Sequence, residues 1–344
     1  MLHREIWILV SAAGFISIFL FLMLSYLISR KAYENHQRKN IDDIKKRLEP
    51  LLAGYLLDEN RELHIQADTK PQKIALEEIL SSFSAVLSGN SAGRITAAAR
   101  KFLIPFYQKQ LKSRLWSARM NALYHLDKFS LFELEEELIR LAGRNKSSSE
   151  ASYSMRILAS ADYPGIIDLL KKAGEMPEFE YRKILYRFSE KRFDEMVLGF
   201  YLCPDSLKLA VLDCMGLQKR MPYALFLEHT AEKNKGEIRL RALKAIASIG
   251  LIEDISPYLH LAQSEEWQER MLAARLFGIV KEERLKPQLV ELLRDKNWWV
   301  RYQAGKSLKS FKQGDEILSS IYHHDQDPFA RDMAWEWVNK GAVT

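Results

Sequence analysis

The hydrophobic pattern of this chain changes character once. From Ile6 to Ile28 it is an unbroken apolar run with no charge and no proline, IWILVSAAGFISIFLFLMLSYLI. Beyond it, apolar residues return every three to four positions in short blocks separated by polar turns, which is the period of amphipathic helices. Roughly 20 apolar residues let a helix cross the hydrocarbon core of a bilayer. Trp7 and Tyr26 lie near the two ends, where aromatic rings favour the interface. The run predicts a transmembrane anchor over residues 1–29. A cleaved signal peptide fits less well, because the apolar stretch is long, only Arg4 is basic before it, and LSYLISRK is a poor cleavage site.

The next region, 30–114, reads as juxtamembrane and basic helices. Ile41, Ile44, Leu48 and Leu51 or Leu52 stand at helical spacing, with Pro50 as a candidate break. DENRELHIQADTKP (58–71) has little periodicity and predicts a loop. A helix follows from Gln72 to Leu87, GNSAG (89–93) is a turn, and a further helix spans 94–112. Pro105 should kink or interrupt that helix, since proline removes an internal hydrogen bond.

From residue 115 to 344 the pattern repeats. IRLRALKAIASIG (238–250), ERMLAARLFGIV (269–280) and VRYQAGKSLKSF (300–311) place Arg239, Arg270 and Arg301 31 residues apart. Each arginine is followed three positions later by Ala242, Ala273 or Ala304, and then by Ile246, Phe277 or Leu308. Arg119 and Arg331 carry the same offsets, and weaker copies align around Arg156, Arg182 and Lys208. Pro222, Pro257 and Pro287 each open a partner helix, where a missing amide is tolerated in the first turn. Each unit is then helix, turn, helix, too short to bury its apolar face except against its neighbours. GRNKSSSE (143–150) is the one serine-rich connector and a candidate break in the array.

In DKNWWVRYQAGKSLKSF (295–311) an aspartate precedes the Val-Arg pair, with alanine and leucine following. This resembles HEAT repeats of the short, membrane-anchored bacterial kind, over about 115–340. The resemblance implies an all-α fold: one N-terminal transmembrane helix followed by a right-handed α-solenoid of HEAT-like hairpins. It also implies that Arg119, Arg239, Arg270, Arg301 and Arg331 are structural, bridging the turns of adjacent units. Asp295 and Asp327 precede Arg301 and Arg331, but Arg239 and Arg270 lack such an aspartate, so the ladder reads as incomplete. The family carries no shared active site.

Charge changes the picture chiefly near the anchor. Arg30, Lys31, Arg38, Lys39, Lys45, Lys46 and Arg47 follow the span directly, against Glu34, Asp42 and Asp43. Basic flanks stay on the cytoplasmic side, so the N-terminus is expected outside and the repeats in the cytoplasm of a single-pass cell-membrane protein. Those seven residues are candidates for contact with an anionic lipid surface. Between residues 79 and 126 there are seven bases, Arg94 to Arg119, and no acid, whereas 127–344 is nearly neutral. A nucleic-acid partner would favour a basic stripe along the array, and none is expected.

Motifs for chemistry are sparse. His323, His324, Asp325 and Asp327 sit together in IYHHDQDPFAR, which reads as a polar turn before a metal site. Cys203 and Cys214 cannot form a disulfide framework and suit buried thiols in a reducing compartment. No catalytic, cofactor-binding or metal residue is assigned. Trp298, Trp299, Trp335 and Trp337 are candidates for partner contact, one of each pair being expected in the core; terminal capping is the competing role for Trp335 or Trp337. The expectation is a membrane-anchored cytoplasmic scaffold or adaptor, without enzymatic activity, whose solenoid binds a membrane-associated protein such as a transport, secretion or glycosyltransferase component. An enzyme or nucleic-acid-processing protein on a HEAT-like frame is the alternative.

Overall fold

The computed structural model describes residues 2–58, 60–144, 149–173 and 176–339, with side chains described for Trp7 and from Gly14 onward. Among these residues all regular structure is helical. The chain divides into two compact units, Met1–Ala161 and Asp162–Thr344.

In the first unit, α1 (Leu2–Leu57) is one helix of 56 residues. Its side chains from Gly14 to Leu24 and from Tyr26 to Ile28 are exposed, and the apolar stretch is long enough to cross a membrane. Farther along, Ile41, Ile44, Leu48, Leu52 and Leu56 are buried at spacings of three and four, against α2 (Lys70–Phe83) and α3 (Asn90–Leu111). Of the two leucines at 51 and 52, Leu52 faces the core. The break expected at Pro50 is absent, and α3 likewise runs through Pro105. Both prolines are exposed, so the carbonyl that each leaves without a partner lies on the wet side of its helix. Helix α2 starts at Lys70, ahead of the expected Gln72, because Gln72 Oε1 reaches back to accept the Thr69 amide at 2.9 Å in a capping box. The unit is completed by α4 (Trp116–Lys128), α5 (Glu135–Arg144) and α6 (Ser149–Ser160). Residues 145–148 of the serine-rich connector lie outside the described residues.

The second unit contains α7 (Ile166–Lys172), α8 (Glu178–Leu185), α9 (Glu190–Leu198), α10 (Asp205–Leu217), α11 (Ala224–Lys233), α12 (Gly236–Ile249), α13 (Trp267–Val280), α14 (Lys286–Leu293), α15 (Trp298–Lys309), α16 (Gly314–His324) and α17 (Pro328–Asn339). Helices α11 and α12, α14 and α15, and α16 and α17 pack as hairpins. The partner of α13 is a 3₁₀ helix, Ser256–Gln263, where an α-helix opening at Pro257 was expected. Buried Ile255, Tyr258 and Leu261 recur every third residue, which aligns them on one face of a helix with three residues per turn.

The second helices of successive hairpins also stack on one another: α10 on α12, α12 on α13, α13 on α15, α15 on α17. Two glycines permit the close approach. A Cβ on Gly216 would meet the Ala245 backbone at 2.8 Å, and one on Gly278 would run into Ser307. Ser307 instead donates its hydroxyl to the Ala274 carbonyl at 2.7 Å, tying α15 to α13.

Candidate functional site

Four of the five arginines that mark the repeats do one recurrent job. Arg119 Nη1 donates to the carbonyls of Ser113 and Arg114, at 2.7 and 3.0 Å. Arg270 does the same to Ser264 and Glu265, at 2.7 and 2.9 Å, and Arg301 to Asp295 and Lys296, at 2.8 and 3.2 Å. Arg331 reaches the Asp325 carbonyl at 3.4 Å. Each clamps the turn that leads into its own helix, satisfying carbonyls that would otherwise lack donors.

Three of the marked arginines, Arg119, Arg239 and Arg270, pair with an acid about one repeat further on. Arg119 meets Glu150 at 2.7 Å, Arg239 meets Glu269 at 2.7 Å, and Arg270 holds Asp295 through two bonds, at 2.5 and 3.0 Å. The ladder that reads as incomplete in the sequence is therefore supplied at Arg239 and Arg270, in the first case by a glutamate. Buried Arg192 reaches a more distant turn, donating to the Asp162 carbonyl at 3.1 Å, whereas Arg182 and Lys208, which the pattern singles out nearby, pair with Asp213 and Asp205.

Helices α10, α12 and α13, with Arg182 of α8, line a groove of about 550 Å³. Leu217, Leu240 and Met271 supply apolar surface, and Arg182, Arg241, Asp213, Glu237, Lys244 and Arg275 the charge. Arg241 is saturated, with Asp213 at 2.5 Å, Glu237 at 2.7 Å and Glu178 at 3.1 Å.

The comparison with known families falls on this unit. Residues 255–336 match the model of HEAT repeats. This segment is built of HEAT repeats. No curated protein matches the chain. The matched stretch covers the hairpins ending in α13, α15 and α17, where the 31-residue period is regular. The all-helical class expected from that period is the observed one.

At the end of the HEAT segment, Trp337 is buried against α15, over Gly305, and Trp335 is half exposed. The other pair departs from expectation, because Trp298 and Trp299 are 43% and 55% exposed and neither enters the core. Val300 takes the inward position of that first turn. Trp298 lies edge-on to Trp299 and stacks on Tyr302, which in turn leans on Trp337. In the neighbouring turn, the Arg294 hydrogen bond holds the Asp325 carboxyl below the usual carboxylate range. Asp327 accepts from the Ala330 amide at 2.8 Å, and His324 lies 3.1 Å from the Ser320 carbonyl, so this cluster works as turn structure. Both cysteines are buried, and burial pushes the Cys214 thiol up to about 12.

The basic candidates beside the anchor separate into two groups. Arg38 and Lys45 converge on Glu78 of α2, and Arg30 and Lys46 pair along the helix with Glu34 and Asp43. Arg47 donates to the Asp43 carbonyl at 3.4 Å. Lys31 and Lys39 are exposed and make no ion pair among the described residues. The acid-free window is likewise answered from outside it: Arg100 pairs with Glu133, and Lys112 with Glu137.

A polar cluster inside the first unit was not anticipated. Glu77 of α2 and His125 of α4 are both buried, with His125 Nε2 3.2 Å from Glu77 Oε1. Asn121 donates to the same oxygen at 3.4 Å, and the buried Tyr107 ring stacks on His125. Burial pushes the Glu77 carboxyl up, and burial aided by Lys128 lowers His125 from 6.5 to about 4. Both residues lie on ordinary helical faces, so only their position among Leu76, Leu80 and Leu126 in sequence hinted at burial.

Proposed function

We propose that this chain is a non-enzymatic scaffold, held at a membrane by α1, whose HEAT repeats bind a partner protein. The observation that carries the reading is the groove of α10, α12 and α13, where apolar and charged side chains of three successive second helices meet on one open side. Stacked repeats characteristically offer such extended surfaces to other proteins. The exposed apolar stretch of α1 supports the anchor. The partner fits a membrane component, of the transport, secretion or glycosyltransferase kind, because the anchor confines the scaffold to one surface.

In the nucleic-acid alternative the groove would be basic and lined with tryptophan. This groove has no tryptophan, and Asp213 and Glu237 neutralise much of its cationic charge. Lys31 and Lys39, with the exposed Lys46 and Arg47, are the residues we assign to anionic head groups and to orientation, each attracted by ~1 kcal/mol near such a surface.

The test is photocrosslinking in native membranes, with the reactive side chain placed along the second helices and the adducts identified by mass spectrometry. A recurrent protein adduct is expected. Adducts to nucleic acid alone, or no protein adduct from any position, would overturn the scaffold. Protease added to intact cells should spare residues 30–344, and changing Lys31, Lys39, Lys46 and Arg47 to Gln should let a fraction of chains insert the other way round. An unchanged orientation would remove their topological role.

A further inference from the structure

Arg275 is the charge in the groove that nothing answers. Its neighbours Arg182 and Arg241 share Asp213, and Arg241 adds Glu178 and Glu237. Arg275 is half-buried, and its one side-chain contact is a long 3.4 Å approach to the Ser248 hydroxyl, with no carboxylate beside it among the described residues. Burial uncompensated by an anion lowers its pKa. Lys244 stands one turn before Ser248, exposed and also without an acidic partner among the described residues.

A cation withdrawn from water without a counter-charge is costly. The fully buried guanidinium groups of this unit, those of Arg192 and Arg270, have their acids in place, whereas half-buried Arg275 has none among the described residues. The groove offers two more unused contacts. Gln268 Oε1 is buried there without a donor among the described residues. Leu217 is 66% exposed, with Leu240 and Met271 beside it.

We propose that this groove takes an acidic segment of the partner protein, with Arg275 and Lys244 holding its carboxylates and Leu217, Leu240 and Met271 receiving an adjacent apolar side chain. The proposal rests on the scaffold reading and gives the partner a chemistry. Gln268 then accepts a backbone N–H of the bound segment, a donor that a peptide supplies at every residue except proline. Methionine adapts to apolar side chains of different shape. Asp213 and Glu237 disfavour the closely spaced phosphates of a nucleic acid, whereas a carboxylate set between apolar residues avoids them. A volume of about 550 Å³ is that of a pocket for a few side chains.

The experiment pans a random dodecapeptide library against the full-length protein in lipid nanodiscs, then measures the selected peptides on Arg275→Gln and Lys244→Gln. Selected sequences should be enriched in Asp or Glu next to Leu, Ile or Phe. Each substitution should weaken them by about tenfold, as expected for a lost charge-assisted hydrogen bond, and rising salt should weaken the wild type alike. Lys244 is exposed, so its variant keeps the fold even if Arg275→Gln lowers the melting temperature. Selection of neutral or basic peptides, failure to select any, or acidic peptides indifferent to both substitutions would each overturn the groove assignment. So would a single-stranded oligonucleotide that binds more tightly and is lost in the same variants. Protein adducts that persist in native membranes after both substitutions would sink the groove and leave the scaffold standing; absence of protein adducts in the wild type would sink the scaffold itself.

Discussion

In the first unit the buried carboxylate of Glu77 faces an imidazole and a phenol, whereas in the second the buried carboxylate of Asp295 faces Arg270 in a two-pronged ion pair. Both lie between stacked helices and are about equally withdrawn from water. The difference lies in the partner. Arg270 supplies a permanent charge, and the geometry of two hydrogen bonds locks one repeat to the next. Glu77 has no such partner, and burial favours its neutral form. Burial likewise favours the neutral form of His125, so folding withdraws charge from both residues. One helical fold thus buries acids in a salt-like and in a neutral, hydrogen-bonded manner.

The largest effect should come from breaking the salt-like mode. Arg270→Ala strands Asp295 and frees two clamped carbonyls, and should cost about 3–5 kcal/mol, read from denaturant unfolding of the full-length protein in detergent. Arg294→Ala, whose side chain is 43% exposed, should cost at most about 1 kcal/mol. Equal losses would show that the buried pair is not special. Next comes the close stacking on which that mode depends. Gly278→Ala places a methyl group into Ser307 and should destabilise by about 1–3 kcal/mol; a neutral result would mean that α13 and α15 can move apart freely.

The neutral mode is tested through pH. A histidine with a lowered folded pKa contributes stability above 6.5 that is lost as pH falls toward about 4. A carboxyl with a raised folded pKa contributes stability below 4.5 that is lost as pH rises through its folded value. Glu77→Gln should therefore leave the His125 slope alone, with stability rising between pH 4 and 6.5 more steeply than in the wild type. His125→Asn should show the opposite slope above 4.5. If both variants follow the wild-type profile, burial shifts neither group on folding. The smallest effect belongs to neither mode. Lys281 ends α13 in the left-handed region at φ 58°, so Lys281→Gly should stabilise by about 1 kcal/mol. A loss there would mean that the lysine side chain makes a contact worth more than its backbone strain.

Much of the second unit was legible because its period is written in residues that cannot be exchanged freely. Arg, Ala and a large apolar residue recur at fixed offsets since one clamps a turn, one lies in a close contact and one fills the core. The acids were harder to see. Glu150, Glu133, Glu137 and Glu78 answer bases some 25 to 40 residues away, so charge summed over a window reports a patch that the fold has already paired. Trp298 and Trp299 misled for a different reason: two bulky neighbours in one turn point in different directions, but the one inward place belongs to Val300. Arg275 was silent in sequence because an unanswered charge shows only once every neighbour has been located. The groove is a property of three helices brought together, and no single segment carries its signature.

Helix α1 continues through Arg30 and Pro50 without a joint, so on the proposed reading the part that lies in lipid and the part that packs on α2 and α3 are one beam. Between Ile28 and Ile41 there are thirteen steps of ~1.5 Å, a standoff of roughly 20 Å. A flexible tether would let the first unit swivel beneath its anchor; a beam transmits torque. Each residue inserted into that standoff would turn the packed unit by about 100° about the helix axis and lift it by ~1.5 Å. The face that this unit shows to its surroundings is thereby geared to the bilayer, one tooth per residue.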